Sequence, residues 1–134
     1  QLNNIKILPV ICYEILFFWK LLNKSNINSD IVVNITNDSW FGDFSGPYQH
    51  FYFTKLRAAE FNKTLIRVSV NGVSAGIDNF GKIIEFSKLN QQQNKIISIP
   101  INSNNIQYIK FHKILFFLIF FPFLITLFIN KKDV

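Results

Sequence analysis

The chain has 134 residues, with 14 Lys+Arg against 8 Asp+Glu and a formal net charge of +6, a length that holds one domain at most. The basic residues are scattered (Lys6, Lys20, Lys24, Lys55, Lys63, Lys82, Lys88, Lys95) and no run of them interleaves with aromatics, so nucleic acid is not an expected partner. A single cysteine excludes an internal disulfide, and Cys12, His50 and His112 match no zinc-ligand spacing, so neither metal nor cofactor is expected.

The first twenty residues lack the charged start and small-residue cleavage site of a signal peptide, and a first residue of Gln with no Met anywhere points to a piece of a longer protein. Residues 6–11 form a short apolar run that predicts a buried strand ending at Cys12. Residues 15–22 suit a short helix beyond a tight turn, and 23–30 are a polar break. Residues 31–35, rich in β-branched side chains, predict a second buried strand. Residues 36–47 read as a long loop of turn formers that also holds Trp40, Phe41 and Phe44. A helix is predicted over 49–62, then strands over 65–70, 73–77 and 82–86 separated by Asn71-Gly72 and by 78–81. Residues 89–94 are a Gln/Asn linker and 95–99 a last strand candidate. The order is α/β with an antiparallel finish.

Residues 114–129 carry no charge and are almost entirely Leu, Ile and Phe; Lys110 and Lys113 precede them and Lys131-Lys132 follow. As a helix the uncharged stretch 114–130 covers roughly 25 Å at ~1.5 Å per residue, a little short of a ~30 Å hydrocarbon core, and lysine stems can snorkel across the difference. Pro122 would kink such a helix, which membrane helices tolerate. The competing reading is a buried core helix, but a run apolar on every face asks for a larger soluble core than this chain supplies. The expected layout is a domain over 1–100, a linker over 101–110, a transmembrane helix over 111–130 and a basic tail over 131–134.

Cys12 sits between a strand and a helix candidate. That junction aims a side chain outward, and the free backbone N–H groups of a helix start favour a thiolate and can hold a developing oxyanion. A lone cysteine after an apolar strand is also the pattern of a buried structural thiol. The spacing alone leaves both open.

The residues Leu8-Pro9-Val10-Ile11-Cys12-Tyr13-Glu14 resemble the nucleophile motif of the nitrilase (carbon-nitrogen hydrolase) superfamily, and within it that of the apolipoprotein N-acyltransferase family. The stretch from Asn34 to Asp43 resembles that family's aromatic loop. Gly46-Pro47-Tyr48-Gln49-His50, Arg57-Ala58-Ala59-Glu60 and the block from Val70 to Ala75 follow in order. The resemblance covers about residues 5–100, and the closing apolar segment fits it too.

The resemblance implies the C-terminal portion of a nitrilase-like α-β-β-α sandwich followed by one transmembrane helix. It implies acyl transfer from a phospholipid donor, through a thioester on Cys12 as nucleophile, to the α-amine of a diacylglyceryl-cysteine lipoprotein. It implies an inner-membrane protein with its nitrilase-like part on the periplasmic side; Lys131-Lys132 favour a cytoplasmic C-terminus, with Lys110 and Lys113 on the other flank weighing against it. Tyr13 and Glu14 are expected to orient the cysteine or the substrate, and Trp40 and Phe41, with Phe44, to meet acyl chains or lipid. Packing for Tyr13, a first-turn carboxylate for Glu14 and a cap over the core for the loop aromatics are the alternatives. Arg57 and Glu60 are read as a structural ion pair, and His50 as structural. The family's Glu base and Lys lie upstream of its cysteine; only eleven residues precede Cys12 here, so an upstream fragment is expected to supply both. The family also carries a Pro and an acidic residue where this chain has Phe17-Phe18-Trp19. Two other functions compete: an amidase cleaving a small C–N bond substrate, and a non-catalytic membrane-bound relic of a split gene.

Overall fold

The computed structural model describes residues 4–21, 28–101 and 108–130. Within them, five strands form one mixed sheet in the order β1 (Ile7–Ile11), β2 (Ile31–Thr36), β3 (Thr64–Ser69), β4 (Ala75–Ile77) and β5 (Ile83–Phe86). The first three strands run parallel, with Val10 opposite Asn34 and Asn34 opposite Arg67. Strands β4 and β5 return antiparallel, as the turn residues at 71–72 and 78–81 require. The α/β order with an antiparallel finish is therefore observed.

The crossover between β2 and β3 is the helix α2 (Ser45–Phe61), with the one-turn helix α1 (Phe18–Leu21) between β1 and β2. Alternation along the strands sends Leu8, Val10, Val32, Leu65, Ala75 and Ile77 to one face of the sheet. There they join Ile15, Leu21, Phe51, Ala58 and Phe61 in a single buried cluster. The helix ends at Asn62, whose left-handed φ of 51° turns the following Lys63 N–H back onto the Ala58 carbonyl before β3 begins.

The opposite face of the sheet is poorly covered. Ile11, Ile35 and Val68 are 55%, 54% and 51% exposed, although each lies in a strand interior or at its end.

Four expectations are corrected. The helix predicted over 15–22 is a 3₁₀ helix at Cys12–Leu16 followed by α1. Phe17 interrupts it: its ψ of 67° is non-helical and its N–H closes back on the Glu14 carbonyl. The loop predicted over 36–47 is shorter, because Ser39–Phe41 form a 3₁₀ turn and α2 starts at Ser45, with Pro47 in the first turn where its missing N–H costs nothing. Gly42 turns the chain between them at φ 66°. The strand predicted over 95–99 is not one. That segment lies across the open face, with Ile97 and Ile99 over Gly76 and the Pro100 carbonyl accepting from the Thr64 hydroxyl. Finally, the apolar tail is a helix, α3 (Tyr108–Asn130, 23 residues), that starts inside the expected linker. Most of that linker and the basic tail over 131–134 lie outside the described residues.

Every described side chain of α3 from Ile114 to Phe123 is exposed, and Pro122 stands inside the helix. The described side chains, 114–126, span about 20 Å at ~1.5 Å per residue. Among the described residues no helix is long and apolar enough to cross a membrane.

Candidate active site

Strand β1 ends in a strained elbow. Cys12 has φ +48°, a left-handed conformation that a side chain with a Cβ adopts only when its surroundings hold it there. Two groups hold it. The Glu14 carboxylate accepts the Ile11 N–H at 2.8 Å, closing the first 3₁₀ turn around the cysteine. From α2, Arg57 donates to the Ile15 carbonyl at 2.8 Å and the Leu16 carbonyl at 3.0 Å, which satisfies the end of that turn. Arg57 also pairs with Glu60, as read from the sequence.

Behind the elbow lies a buried polar network built on the inward positions of β2 and β3. The Asn34 side-chain amide donates to the Val10 carbonyl at 3.0 Å and the Cys12 carbonyl at 3.4 Å. Its oxygen accepts from Arg67 at 2.7 Å. Arg67 donates further to Thr54 Oγ1 at 2.9 Å, the Val73 carbonyl at 3.1 Å and Asp38 Oδ2 at 2.6 Å. Asp38 Oδ2 also accepts the Ser69 hydroxyl at 3.0 Å, and Oδ1 meets Thr36 Oγ1 at 3.1 Å and His50 Nδ1 at 2.9 Å. A carboxylate only accepts, so His50 carries its proton on Nδ1. His50 Nε2 is buried and has no partner among the described residues.

The charges in this network stabilise one another. Burial pushes the Asp38 carboxyl up, but the hydrogen bond from His50, the charge and hydrogen bond of Arg67 and the Ser69 hydroxyl outweigh it and hold the group at about 2. Burial pulls the Arg67 guanidinium down and Asp38 opposes that. A fully hydrogen-bonded buried pair of this kind rigidifies what it touches, and here Arg67 holds Asn34, whose amide bonds the Val10 and Cys12 carbonyls.

The Cys12 sulfur is partly buried and lies 3.5 Å from Thr36 Oγ1. The Thr36 hydroxyl does most to lower the thiol below its ordinary value; burial opposes it, the Asn37 and Tyr13 N–H groups add to it, and the Asp38 charge works against it. Tyr13 is half exposed and stacks on Phe41 with ring centres 6.3 Å apart, and it meets the His50 ring at 5.6 Å. Phe41 meets His50 at 5.4 Å.

The structure thus brings Cys12, Tyr13, Glu14 and Phe41 together, with the Glu14 carboxylate engaged by the elbow's own backbone. Trp40 is set apart: it is 83% exposed, and Phe44 is 87% exposed. Sequence reasoning gave no role to Asn34, Thr36, Asp38, Arg67 or Ser69. A signal for three of them was present. Asn34 and Thr36 alternate with Val32 in one apolar strand and Arg67 with Leu65 in another, so each is a polar side chain on a core-facing position.

Residues 1–111 match the carbon-nitrogen hydrolase family. The chain belongs to that family. Within it, the sequence is similar to apolipoprotein N-acyltransferases. It is 40% identical over 132 residues to the one from Rickettsia bellii, an alignment covering 96% of this chain and 26% of that protein. It is 40% identical over 135 residues to the one from Wigglesworthia glossinidia brevipalpis, covering 98% and 27%. With the Rickettsia typhi protein it shares 46% over 88 residues, covering 66% and 18%. The chain spans about a quarter of the length of the first and second of these relatives. A crystal structure of a CN-hydrolase superfamily protein from Xanthomonas campestris, with an arsenic adduct in its active site, superposes with a TM-score of 0.51 at 20% identity over 63% of this chain and 37% of that one. This likeness shows the carbon-nitrogen hydrolase fold.

Proposed function

We propose that this carbon-nitrogen hydrolase chain carries the nucleophile of an apolipoprotein N-acyltransferase. The observation that carries the reading is the Cys12 elbow, a strained cysteine with a lowered thiol pKa, backed by a buried network that fixes its backbone. The Cys12 sulfur attacks the acyl carbonyl of a phospholipid, the S–C bond forms, and the ester C–O bond breaks to release a lysophospholipid. The α-amine of a diacylglyceryl-cysteine lipoprotein then attacks the thioester, the amide forms, and the thiolate leaves. A Glu takes the thiol proton and passes it to the departing lysophospholipid oxygen, then takes the proton the amine loses and returns it to the Cys12 sulfur, while a Lys supports the oxyanion; both come from an upstream segment, which also supplies the second half of the sandwich over the open sheet face.

Tyr13 and Phe41 line the approach to the sulfur, and Trp40 and Phe44 reach toward lipid, as their exposure supports. Helix α3 anchors the chain: its all-round exposed apolar surface is suited to acyl chains and not to water. The nitrilase-like part lies on the periplasmic side of the inner membrane and the C-terminus in the cytoplasm. The alternative of a small-amide hydrolase is separated by labelling. Cys12 is expected to react with a lipid-ester probe and not with a small-amide probe of equal reactivity; the reverse pattern would place the chain among amidases.

A further inference from the structure

We propose that Thr36 is a positioning residue for the cysteine, a one-proton switch whose hydroxyl turns from Asp38 to the Cys12 sulfur when the thiol ionises. The inference rests on Cys12 being the reactive group. Its geometric basis is that Thr36 Oγ1 stands 3.1 Å from Asp38 Oδ1 and 3.5 Å from Cys12 Sγ, and a hydroxyl has one proton to give. A neutral thiol is a weak acceptor, so in the resting state the proton goes to the carboxylate. When the thiol gives its proton to solvent or a base, the sulfur becomes a full anion and takes the bond.

Turning away leaves little behind. Asp38 Oδ1 keeps His50, and Oδ2 keeps Arg67 and Ser69, so the carboxylate remains bonded at both oxygens. Strand β2 cannot swing, because Thr36 is its last residue and accepts the Val70 N–H on its carbonyl. The switch is therefore a rotation about one side-chain bond. The other charged or titratable groups near the elbow are Tyr13 and Glu14 on the 3₁₀ turn, His50 and Arg57 on α2, and Arg67 on β3; Tyr13 packs against the Phe41 and His50 rings, and Arg57 donates to the Ile15 and Leu16 carbonyls. Glu14 is turned back onto the Ile11 N–H, and His50 is bonded to Asp38. Arg67 favours the thiolate through its charge but donates its hydrogen bonds elsewhere. Thr36 is thus the side chain that can hand the thiolate a hydrogen bond without breaking the buried pair.

The test is the pH dependence of Cys12 alkylation by iodoacetamide in the full chain held in detergent, with folding followed by far-UV circular dichroism. The chain has one cysteine, so the readout is unique. Thr36→Val, which keeps the shape and removes the hydroxyl, is expected to slow alkylation at neutral pH roughly tenfold and move the midpoint up by about one unit. Thr36→Ser, which keeps the hydroxyl, is expected to restore the wild-type profile. If Thr36→Val unfolds, Thr36→Ala takes its place, and the wild-type midpoint is compared with that in denaturant, where it is expected to rise. A folded Val or Ala variant with the wild-type profile, or a wild-type midpoint unchanged by denaturant, would overturn the proposal. Because alkylation needs no acyl donor, it reads the switch independently of the acyl-transfer reading.

Discussion

Arg67 Nη2 lies 2.6 Å from Asp38 Oδ2, and both side chains are wholly shielded from solvent. A buried ion pair is costly to form and more costly to break, since removing one partner strands the other as a bare charge. Arg67→Leu is therefore expected to lower folding stability by about 3–5 kcal/mol in urea denaturation. Arg67→Lys is expected to destabilise as well, because an ammonium cannot reach Asn34, Thr54, Val73 and Asp38 at once. A Lys variant of wild-type stability would show that the charge, and not the guanidinium fork, is what the fold uses.

The same pair sets a pH dependence. The Asp38 carboxyl sits at about 2 in the folded chain against 3.8 for the ordinary group. A group whose folded pKa is depressed contributes stability that is fully present above its unfolded value and is lost as pH falls through its folded value. Stability is therefore expected to fall between about pH 4 and pH 2 by on the order of 2 kcal/mol from this residue. Measuring urea midpoints across that window checks it: Asp38→Asn should flatten the slope while lowering stability at neutral pH.

Gly72 is a quieter part of the same structure. A Cβ there would sit inside contact distance of Asp38 Oδ2 and 2.5 Å from Ser69 Oγ. Both are side-chain ends, but Asp38 is pinned by Arg67 and cannot retreat freely. Gly72→Ala is expected to cost about 1–3 kcal/mol, the range for overpacking a tight interior. Thermal unfolding reads it, and an unchanged midpoint would mean that the carboxylate can move.

The parallel strands, the crossover helix and the antiparallel return were legible because their apolar periods and turn residues are local signals. The elbow was half legible. Cys12 stood out at a strand end, but its left-handed backbone and the 3₁₀ turn depend on Arg57, which is 42 positions away from the Ile15 carbonyl it bonds. The network behind it was missed because Asn34, Asp38 and Arg67 have meaning only once β2 and β3 are in register. The segment 95–99 misled for the opposite reason: its β-propensity is real, but its neighbours place it over a sheet face and not at an edge.

Backbone strain at Cys12 gives a prediction in which activity and stability part. Glycine adopts φ +48° without a Cβ penalty. Cys12→Gly is expected to be more stable than Cys12→Ala by roughly 1 kcal/mol, with both inactive. Equal denaturation midpoints for the two would mean that the elbow holds no strain.

The proposed acyl transfer passes through a thioester at Cys12. The direct measurement is intact-peptide mass spectrometry after the chain, in membranes with the upstream segment proposed to supply the Glu and Lys, meets a phospholipid of defined acyl length. The predicted result is one acyl chain on the Cys12 peptide, released by neutral hydroxylamine and passed to a diacylglyceryl-cysteine peptide when that is added. Continued transfer to that peptide by a Cys12→Ala variant would contradict the account.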